Sequence, residues 1–494
     1  MPADWRDGII VSLYKGKGPR TECKSHRPIS LLSVPGKVFA HVLLARLEPL
    51  LHRKRRPQQS GFTKNRSTLD AILALRLLSE IHREFQKPLY VAYIDLKAAF
   101  DSVDRSALWK ALRGAGLPNT LVDLLQALHA GTTSRARHGC KLSSPFITTS
   151  GVRQGCVLAP ALFCRAMDII MSHVANVTGL NLRDIRLTDL NYADDAALLT
   201  DDSSQLQPAL QCLEEEASKF GLHVSWAKTK VQNLGSGHAA TPITVNGEVV
   251  EAVNSFVYLG STMSSGSNSH SEVMRRIGLT SSVIDRLSRI WSQRHLSLTT
   301  KCRLYSSCIL AVLLYASETW TLTKSDWKRL ESFHLRCQRR ILGIKWSDFI
   351  TNAKVYTRSG LQSIQSIVHR RHLSLFGHIA RMPDNVPAKA VLRVACDVRD
   401  GVPPFPNWRR PRGRPPITWL HQICSDCGLS AGDALNCAQD RTVCIERTLR
   451  RTRPRVDADD ELGMCRVHSY SSISRLKKTS SFSFDLEHSK TKVR

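Results

Sequence analysis

The chain has 494 residues, 70 Lys and Arg against 42 Asp and Glu, a formal net charge of +28, and a composition 42% hydrophobic and 23% charged. This is a globular balance that excludes a wholly disordered chain, and the length asks for about two to four hydrophobic cores. No apolar run reaches the roughly 18 residues of a membrane-spanning helix, so no membrane partner is expected, and the excess of cations predicts a polyanion, nucleic acid before a membrane surface.

From the N-terminus, GIIVSLYKGKG reads as a strand running into a basic loop, and GKVFAHVLLARLEPLL has helical periodicity. RSTLDAILALRLLSEIHREF is a long amphipathic helix with Ser67 or Thr68 as its cap. LYVAYIDLKAAF is a buried strand passing into a turn and helix, and RSALWKALRGAG is a helix ended by Gly114 and Gly116. KLSSPFITTSGVRQGCVLAPALFCRAMDIIMSHV gives a strand, a glycine-punctuated loop and a helix. LTDLNYADDAALLTDDS at 187–203 is a strand-turn-strand, LQPALQCLEEEASKFG a helix, and LHVSWAKTKVQNL another strand. Asn246-Gly247 marks a hairpin. The alternation predicts an α+β block with helices on one face of a sheet. Helical periods dominate from about 270 to 395. The stretch 400–416 is a Pro, Gly and Arg rich linker or arm, a short helical segment and RTLRRTRPR follow, and a Ser-rich tail from about 456 is expected to be disordered.

The 14 cysteines follow an N-terminus without signal-peptide layout, which predicts free thiols and an intracellular location, cytoplasm and nucleus. Met1 stands almost directly before the strand-like Ile9, Ile10, Val11 and Leu13, so the chain is expected to begin inside a domain.

Two acids, Asp194 and Asp195, sit in the turn of the 187–203 hairpin. Taken alone, such a turn reads first as a solvated hairpin tip, since adjacent carboxylates repel and burial raises their pKa. Asp95 stands at the predicted end of another buried strand, where a helix cap ahead of LKAAF competes with a ligand role. Carboxylates at the ends of neighbouring strands would suit magnesium, with manganese as the alternative, and two such ions support in-line phosphoryl transfer.

Seven blocks stand in order: YKGKG with HRPISLL at 14–32, QQSGFTKNRST at 58–68, YIDLKAAFDSV at 93–103, SGVRQGCVLAPALF at 150–163, NYADDAALL at 191–199, GLHVSWAKTK at 221–230 and FVYLGS at 256–261. In these blocks the sequence resembles the reverse transcriptase of non-LTR (LINE-type) retrotransposons, and LLYASETW, FGHIARM and RGRPPITWL resemble the C-terminal part of one branch of them. The resemblance implies an α+β right-hand polymerase with fingers at 1–86, palm at 87–262, a helical thumb-like region at 263–395, a basic nucleic-acid-binding segment at 396–456 and a tail at 457–494. It implies RNA-templated extension of a DNA 3′ end, with an RNA template, a DNA primer or target and dNTPs as partners. An N-terminally truncated endonuclease-reverse transcriptase is expected. The alternative is an inactive, nucleic-acid-binding remnant of such an element.

Residue by residue, the resemblance implies Asp95, Asp194 and Asp195 as metal-binding catalytic carboxylates and Phe100 as a steric gate against the ribose 2′-OH. Gln154 and Gly155 would lie against the nucleotide and template, with glycine allowing close backbone approach. Lys17 and Arg27 would neutralise the triphosphate, Lys15 being a third candidate. Lys228 would give a proton to pyrophosphate, and Tyr258, Leu259 and Gly260 would hold the primer end. Asp101 reads as a structural cap. Each of Phe100, Lys228 and Gln154 has a plain competitor, as core, solvated strand lysine and loop residue.

RRPRGRP reads as a phosphate-contacting basic linker before it reads as a minor-groove arm. His421, Cys424, Cys427, Cys437 and Cys444 have the wrong spacing for a tight zinc knuckle.

Overall fold

The structure, a computed structural model, describes residues 1–441 except Lys17, Ser267, Asn268, Arg414 and Pro415. The expectations for Lys17, Cys444, RTLRRTRPR and the Ser-rich tail therefore lie outside the described residues.

Strands β1 (Asp7–Tyr14) and β2 (His26–Leu32) form an antiparallel ribbon that sets Leu13 opposite Arg27. Helix α1 (Val34–Arg53) follows, and α2 (Thr68–Glu84) starts where the Ser67 backbone N–H donates to Asp70 Oδ2 at 2.9 Å, tying off one free donor of the helix start. Next come β3 (Tyr90–Ile94), α3 (Ala99–Ser102), α4 (Arg105–Gly114) and α5 (Asn119–His129). The cap at this bend is Asp104, whose Oδ1 accepts from Ala107 N at 2.6 Å, rather than Asp101. Strand β4 (Thr133–His138) joins β1 in parallel, with β5 (Lys141–Leu142) and β6 (Phe146–Ile147) on its other side. Helix α6 (Ala159–Val174) leads to two hairpins, β7 (Leu180–Leu182) with β8 (Ile185–Leu187) and β9 (Asp189–Tyr192) with β10 (Asp195–Thr200). Then follow α7 (Leu206–Ser218), β11 (Lys230–Asn233), β12 (Ile243–Val245), β13 (Glu248–Ala252) and the hairpin β14 (Ser255–Tyr258) with β15 (Ser261–Ser264).

The rest is helical: α8 (His270–Arg286), α9 (Ser288–Trp291), α10 (Leu298–Leu304), a π-helical turn over Tyr305–Leu310, α11 (Ala311–Leu313), α12 (Lys324–Leu342), α13 (Asn352–Ser359), α14 (Ile364–Ala380), α15 (Pro387–Arg399), α16 (Trp419–Cys427) and α17 (Ala431–Gln439). No helix among the described residues is long and apolar enough to cross a membrane. The architecture is thus a mixed α/β N-terminal region followed by a mainly helical one.

The central sheet has the order β12-β13-β11-β3-β10-β9. Neighbouring strands β3 and β10 divide their side chains between separate cores. Ala92, Ile94, Ala196 and Leu198 pack with α1 and α4–α7 on one face. Val91, Tyr93, Ala197 and Leu199 pack with α2 and α14–α17 on the other. The expectation of helices on one face is corrected here. A strand apolar at every position needs cover on both faces, and the second cover comes from α2 just ahead of β3 together with α14–α17, more than 150 residues further along the chain. A third core lies among α8–α14.

The 400–413 stretch is anchored rather than free. Trp408 packs against His82, Phe85 and Phe405, and Arg410 pairs with Glu84 at the end of α2. All described cysteines are unpaired as disulfides.

Candidate active site

The β9–β10 hairpin pairs Tyr192 with Asp195 across a two-residue turn, Ala193-Asp194, in which Ala193 takes the left-handed conformation (φ +59°). The β10–β3 register pairs Ala196 with Ile94, so Asp195 and Asp95 are the next residues outward on two neighbouring strands. Asp95 and the Asp194-Asp195 turn thereby come to the same end of two neighbouring strands. Burial raises the Asp194 carboxyl above its ordinary value, with Asp95 adding to the rise and Arg27 opposing it. Asp195 is pushed up to about 6 by desolvation, then by Asp194 and Asp95, again with Arg27 opposing. Arg27 on β2 is thus the described cation of its block that faces the pair. Lys15 instead donates to the Lys24 carbonyl at 2.8 Å.

Lys228 Nζ lies 2.9 Å from Asp95 Oδ2. The strand expected over LHVSWAKTKVQNL begins only at Lys230. Ser225 N donates to the Asp95 carbonyl at 2.7 Å, and Lys228 N and Thr229 N both donate to Ser225 O at 2.9 Å, so these residues turn around the end of β3. That turn, not a strand, carries the Lys228 ammonium to the carboxylates.

Beneath the acidic turn lies a brace to which the sequence reading assigns no role. Gln59, 1% exposed, accepts at Oε1 from both Ala193 N and Gly61 N at 2.9 Å. Ser60 N donates to Asn191 O at 2.8 Å, and Asn191 N to Gln58 O at 3.1 Å. A Cβ on Gly61 would stand 2.2 Å from Ala193 N, so only glycine lets this loop reach the turn. Arg56 holds buried Asp189 through two hydrogen bonds of 2.9 and 2.6 Å at the base of β9. The signal was available in QQSGF, where a glycine follows two amides inside a matched block, but the target of Gln59 is 134 residues away.

Phe100, partly buried, stacks on Phe163 with ring centroids 4.5 Å apart, and Val152 N donates to its carbonyl at 2.8 Å. Gln154 O accepts from Ser30 N at 2.7 Å, and a Cβ on Gly155 (φ +121°) would stand 2.3 Å from Ser30 O. Glycine is needed at 155 because the loop lies on β2, a protein contact that needs no nucleotide to explain it.

Tyr258 is turned inward, 2% exposed, with its hydroxyl donating to Leu190 O at 3.0 Å. The turn of this hairpin holds Leu259 (φ +47°) and Gly260 (φ +79°), both left-handed. Tyr315 donates to Leu259 O at 2.8 Å, and Arg276 donates to Gly260 O while pairing with Glu272 at 2.6 Å.

The donors offered by Asp95, Asp194 and Asp195 are hard carboxylate oxygens, the chemistry magnesium takes. Among the described residues no group of three or more His, Cys, Asp or Glu side chains is gathered to hold a metal ion, the His421–Cys437 region included. The fit is therefore to an ion that uses one or two protein carboxylates and completes its shell with phosphates and water, as magnesium commonly does.

The raised Asp195 value has a consequence for stability. The folded chain binds this proton more tightly than the unfolded chain, so stability falls as pH rises from about 4 through 6. In metal-free buffer the Tm of the native chain is expected to drop across that window relative to Asp195→Asn. Parallel curves would contradict the shift.

Residues 15–263 match the family described as reverse transcriptase (RNA-dependent DNA polymerase). An uncharacterized 149 kDa protein of transposon TX1 from Xenopus laevis is 30% identical over 223 residues, 44% of this chain and 17% of its own length. A probable RNA-directed DNA polymerase from transposon X-element of Drosophila melanogaster is 23% identical over 438 residues, 85% of this chain and 46% of its own. This chain spans less than half the length of either curated relative. A solved telomerase from Candida tropicalis, in complex with a fragment of telomeric RNA, covers 80% of this chain and 62% of its own at 13% identity, with a TM-score of 0.41.

Proposed function

We propose, from the premise that this chain belongs to the reverse transcriptase (RNA-dependent DNA polymerase) family, that it is the RNA-directed DNA polymerase of a non-LTR, LINE-type retrotransposon. The observation that carries this reading is that Asp95 and Asp194-Asp195 come to the same end of two neighbouring strands, with Arg27 opposite and Lys228 at 2.9 Å from Asp95. In this reading residues 1–86 are the fingers, 87–262 the palm and 263–395 a thumb-like region, with basic residues beyond.

Magnesium held by Asp95, Asp194 and Asp195 would supply activation of the primer 3′-hydroxyl and neutralisation of the leaving pyrophosphate. The Asp194 and Asp195 carboxyls are raised first by burial and then by neighbouring carboxylates, and a cation beside them would relieve both penalties. Arg27 supplies positive charge opposite them, where a triphosphate would enter. Lys228 is within reach of the same carboxylate and can pass a proton to pyrophosphate once a cation takes over Asp95. Phe100, fixed by Phe163, supplies a flat wall that excludes a 2′-hydroxyl. The Leu259-Gly260 turn, held by Tyr315 and Arg276, offers a fixed backbone for the primer end.

Extension of oligo(dT) on poly(rA) with dTTP and magnesium tests the reading, and binding without extension would favour the remnant. The sugar preference tests Phe100 separately. Phe100→Ala is expected to lower discrimination against rNTPs by about 10- to 100-fold, read as the ratio of kcat/KM for dNTP and rNTP. An unchanged ratio would remove Phe100 from the gate.

A further inference from the structure

The loop between α12 and α13 holds the two most exposed large apolar side chains among the described residues, Trp346 at 88% and Phe349 at 86%. Nothing about the loop is slack. Helix α12 ends on left-handed Gly343 (φ +68°), and Ile344 N donates back to Arg339 O at 3.0 Å. The Arg339 guanidinium then reaches forward to Ile350 O at 3.2 Å and Asn352 Oδ1 at 2.7 Å, clasping both ends of the loop. Inside it Asp348 Oδ2 accepts from Lys345 N at 2.8 Å, and Phe349 is held in the left-handed region (φ +48°), an uncommon conformation for a bulky residue. A closed turn that presents two aromatic rings to solvent is arranged for a flat partner.

The surroundings select the partner by charge. Arg336, Lys345, Lys354 and Arg358 are exposed around the loop, while the local acids are engaged: Asp348 closes the turn and Asp285 pairs with Arg340. Helix α13 runs from this loop to an open cleft of about 750 Å³ between α10 and α13. Arg303 and Arg358 line that cleft with Ser306, Ser307 and Thr357, the Ser307 and Thr357 hydroxyls donating back to Arg303 O at 2.8 Å and Ala353 O at 3.1 Å, which leaves the two guanidinium groups as the charged donors of the cleft. Guanidinium donors suit phosphate oxygens, and aromatic rings beside a basic track suit unpaired bases, whose faces a duplex hides.

We propose that the 344–352 loop and the α10–α13 cleft form a single-stranded nucleic-acid site, separate from the carboxylate site, in which Trp346 and Phe349 stack on unpaired bases and Arg303 and Arg358 receive the phosphates. The site does not depend on polymerase activity. Binding and catalysis can therefore fail independently.

The test uses the full chain, labelled 12-nucleotide single-stranded RNA and DNA, and a 12-base-pair duplex, with Kd read by fluorescence anisotropy across a salt series. The Trp346→Ala, Phe349→Ala double variant is expected to weaken single-strand binding by about 10- to 100-fold and to leave duplex binding within about twofold. Arg303→Gln with Arg358→Gln should reduce the salt slope by about 1 to 2. A 5-bromouracil-substituted strand should crosslink to the 345–354 peptide, which locates the site even if other surfaces also bind. Preference for RNA over DNA, or the reverse, identifies which strand uses the site. Equal losses for single strand and duplex, crosslinks confined to other peptides, or a loss seen only with phosphatidylserine-containing vesicles would overturn the proposal.

Discussion

Asp95→Asn and Asp194→Asn are each expected to lower RNA-templated primer extension by at least about 10³-fold while leaving nucleic-acid binding within a factor of about three. Asparagine keeps the size of the side chain and removes its charge, so the loss isolates electrostatics at the strand ends. The fold has little stake in these charges, the Asp95–Lys228 pair being solvent-exposed. Asp194 is raised by burial and by Asp95, so neutralising it relieves a repulsion. Asp95→Asn also releases Lys228 from its 2.9 Å pairing, and that variant should therefore be impaired in proton delivery as well as in cation binding. Binding is insulated because it draws on a chain with net charge +28, of which one carboxylate is a small part. Comparable loss of binding and extension would mean that the substitution had disturbed the fold.

The second large effect is expected at Gly61. A Cβ there would meet Ala193 N at 2.2 Å and the Tyr192 carbonyl carbon at 2.9 Å, both backbone atoms of the acidic hairpin. No flexible side chain can yield, so Gly61→Ala must move either the loop or the turn. Overpacking of this kind costs about 1–3 kcal/mol, and it also strips Gln59 from the two amides it accepts. A displacement of about 1 Å at Asp194 is enough to reduce turnover about 10²-fold. Gly114→Ala is the control. Its Cβ meets nothing within 4 Å and it lies at the end of α4, so it should change stability by no more than about 0.5–1 kcal/mol and leave extension intact. Equal behaviour of the two variants would remove the brace from the account.

What the sequence made legible was local. The apolar run at Tyr90–Ile94, the Asn246-Gly247 turn (φ +51° and +82°) and the Ser67 start of α2 are each set by neighbours a few residues away, and each stands where its pattern puts it. The Asp194-Asp195 turn was legible for the same reason. What escaped was settled by distant partners. Lys228 looks like a strand residue until Ser225 is tied to the end of β3. The inward turn of Tyr258 shows only when its hydroxyl finds Leu190 O, and the need for glycine at 155 on the protein side only when Ser30 stands behind it. Gln59 carries no local signal of its task, because Ala193 is brought to it only by the sheet.

The same distance effect explains the helical half. Glu80 on α2 is half-buried, its carboxyl pushed up to about 7 by desolvation, and it accepts from Thr321 Oγ1 at 2.7 Å and Trp419 N at 3.1 Å. Those contacts stitch three separate stretches of chain together. Periodicity alone marks helices there but not which face meets which, so the shared core of α2 with α14–α17 could not be read from pattern.

The central claim is that the carboxylates at the ends of β3 and β10 form a working nucleotidyl-transfer site. The most direct measurement compares the purified chain with its Asp194→Asn, Asp195→Asn double variant in magnesium-dependent extension of oligo(dT) on poly(rA), at equal template occupancy. The account predicts processed primer with the native pair and at least about 10³-fold less with the variant. No extension by either protein, or equal extension by both, would contradict it.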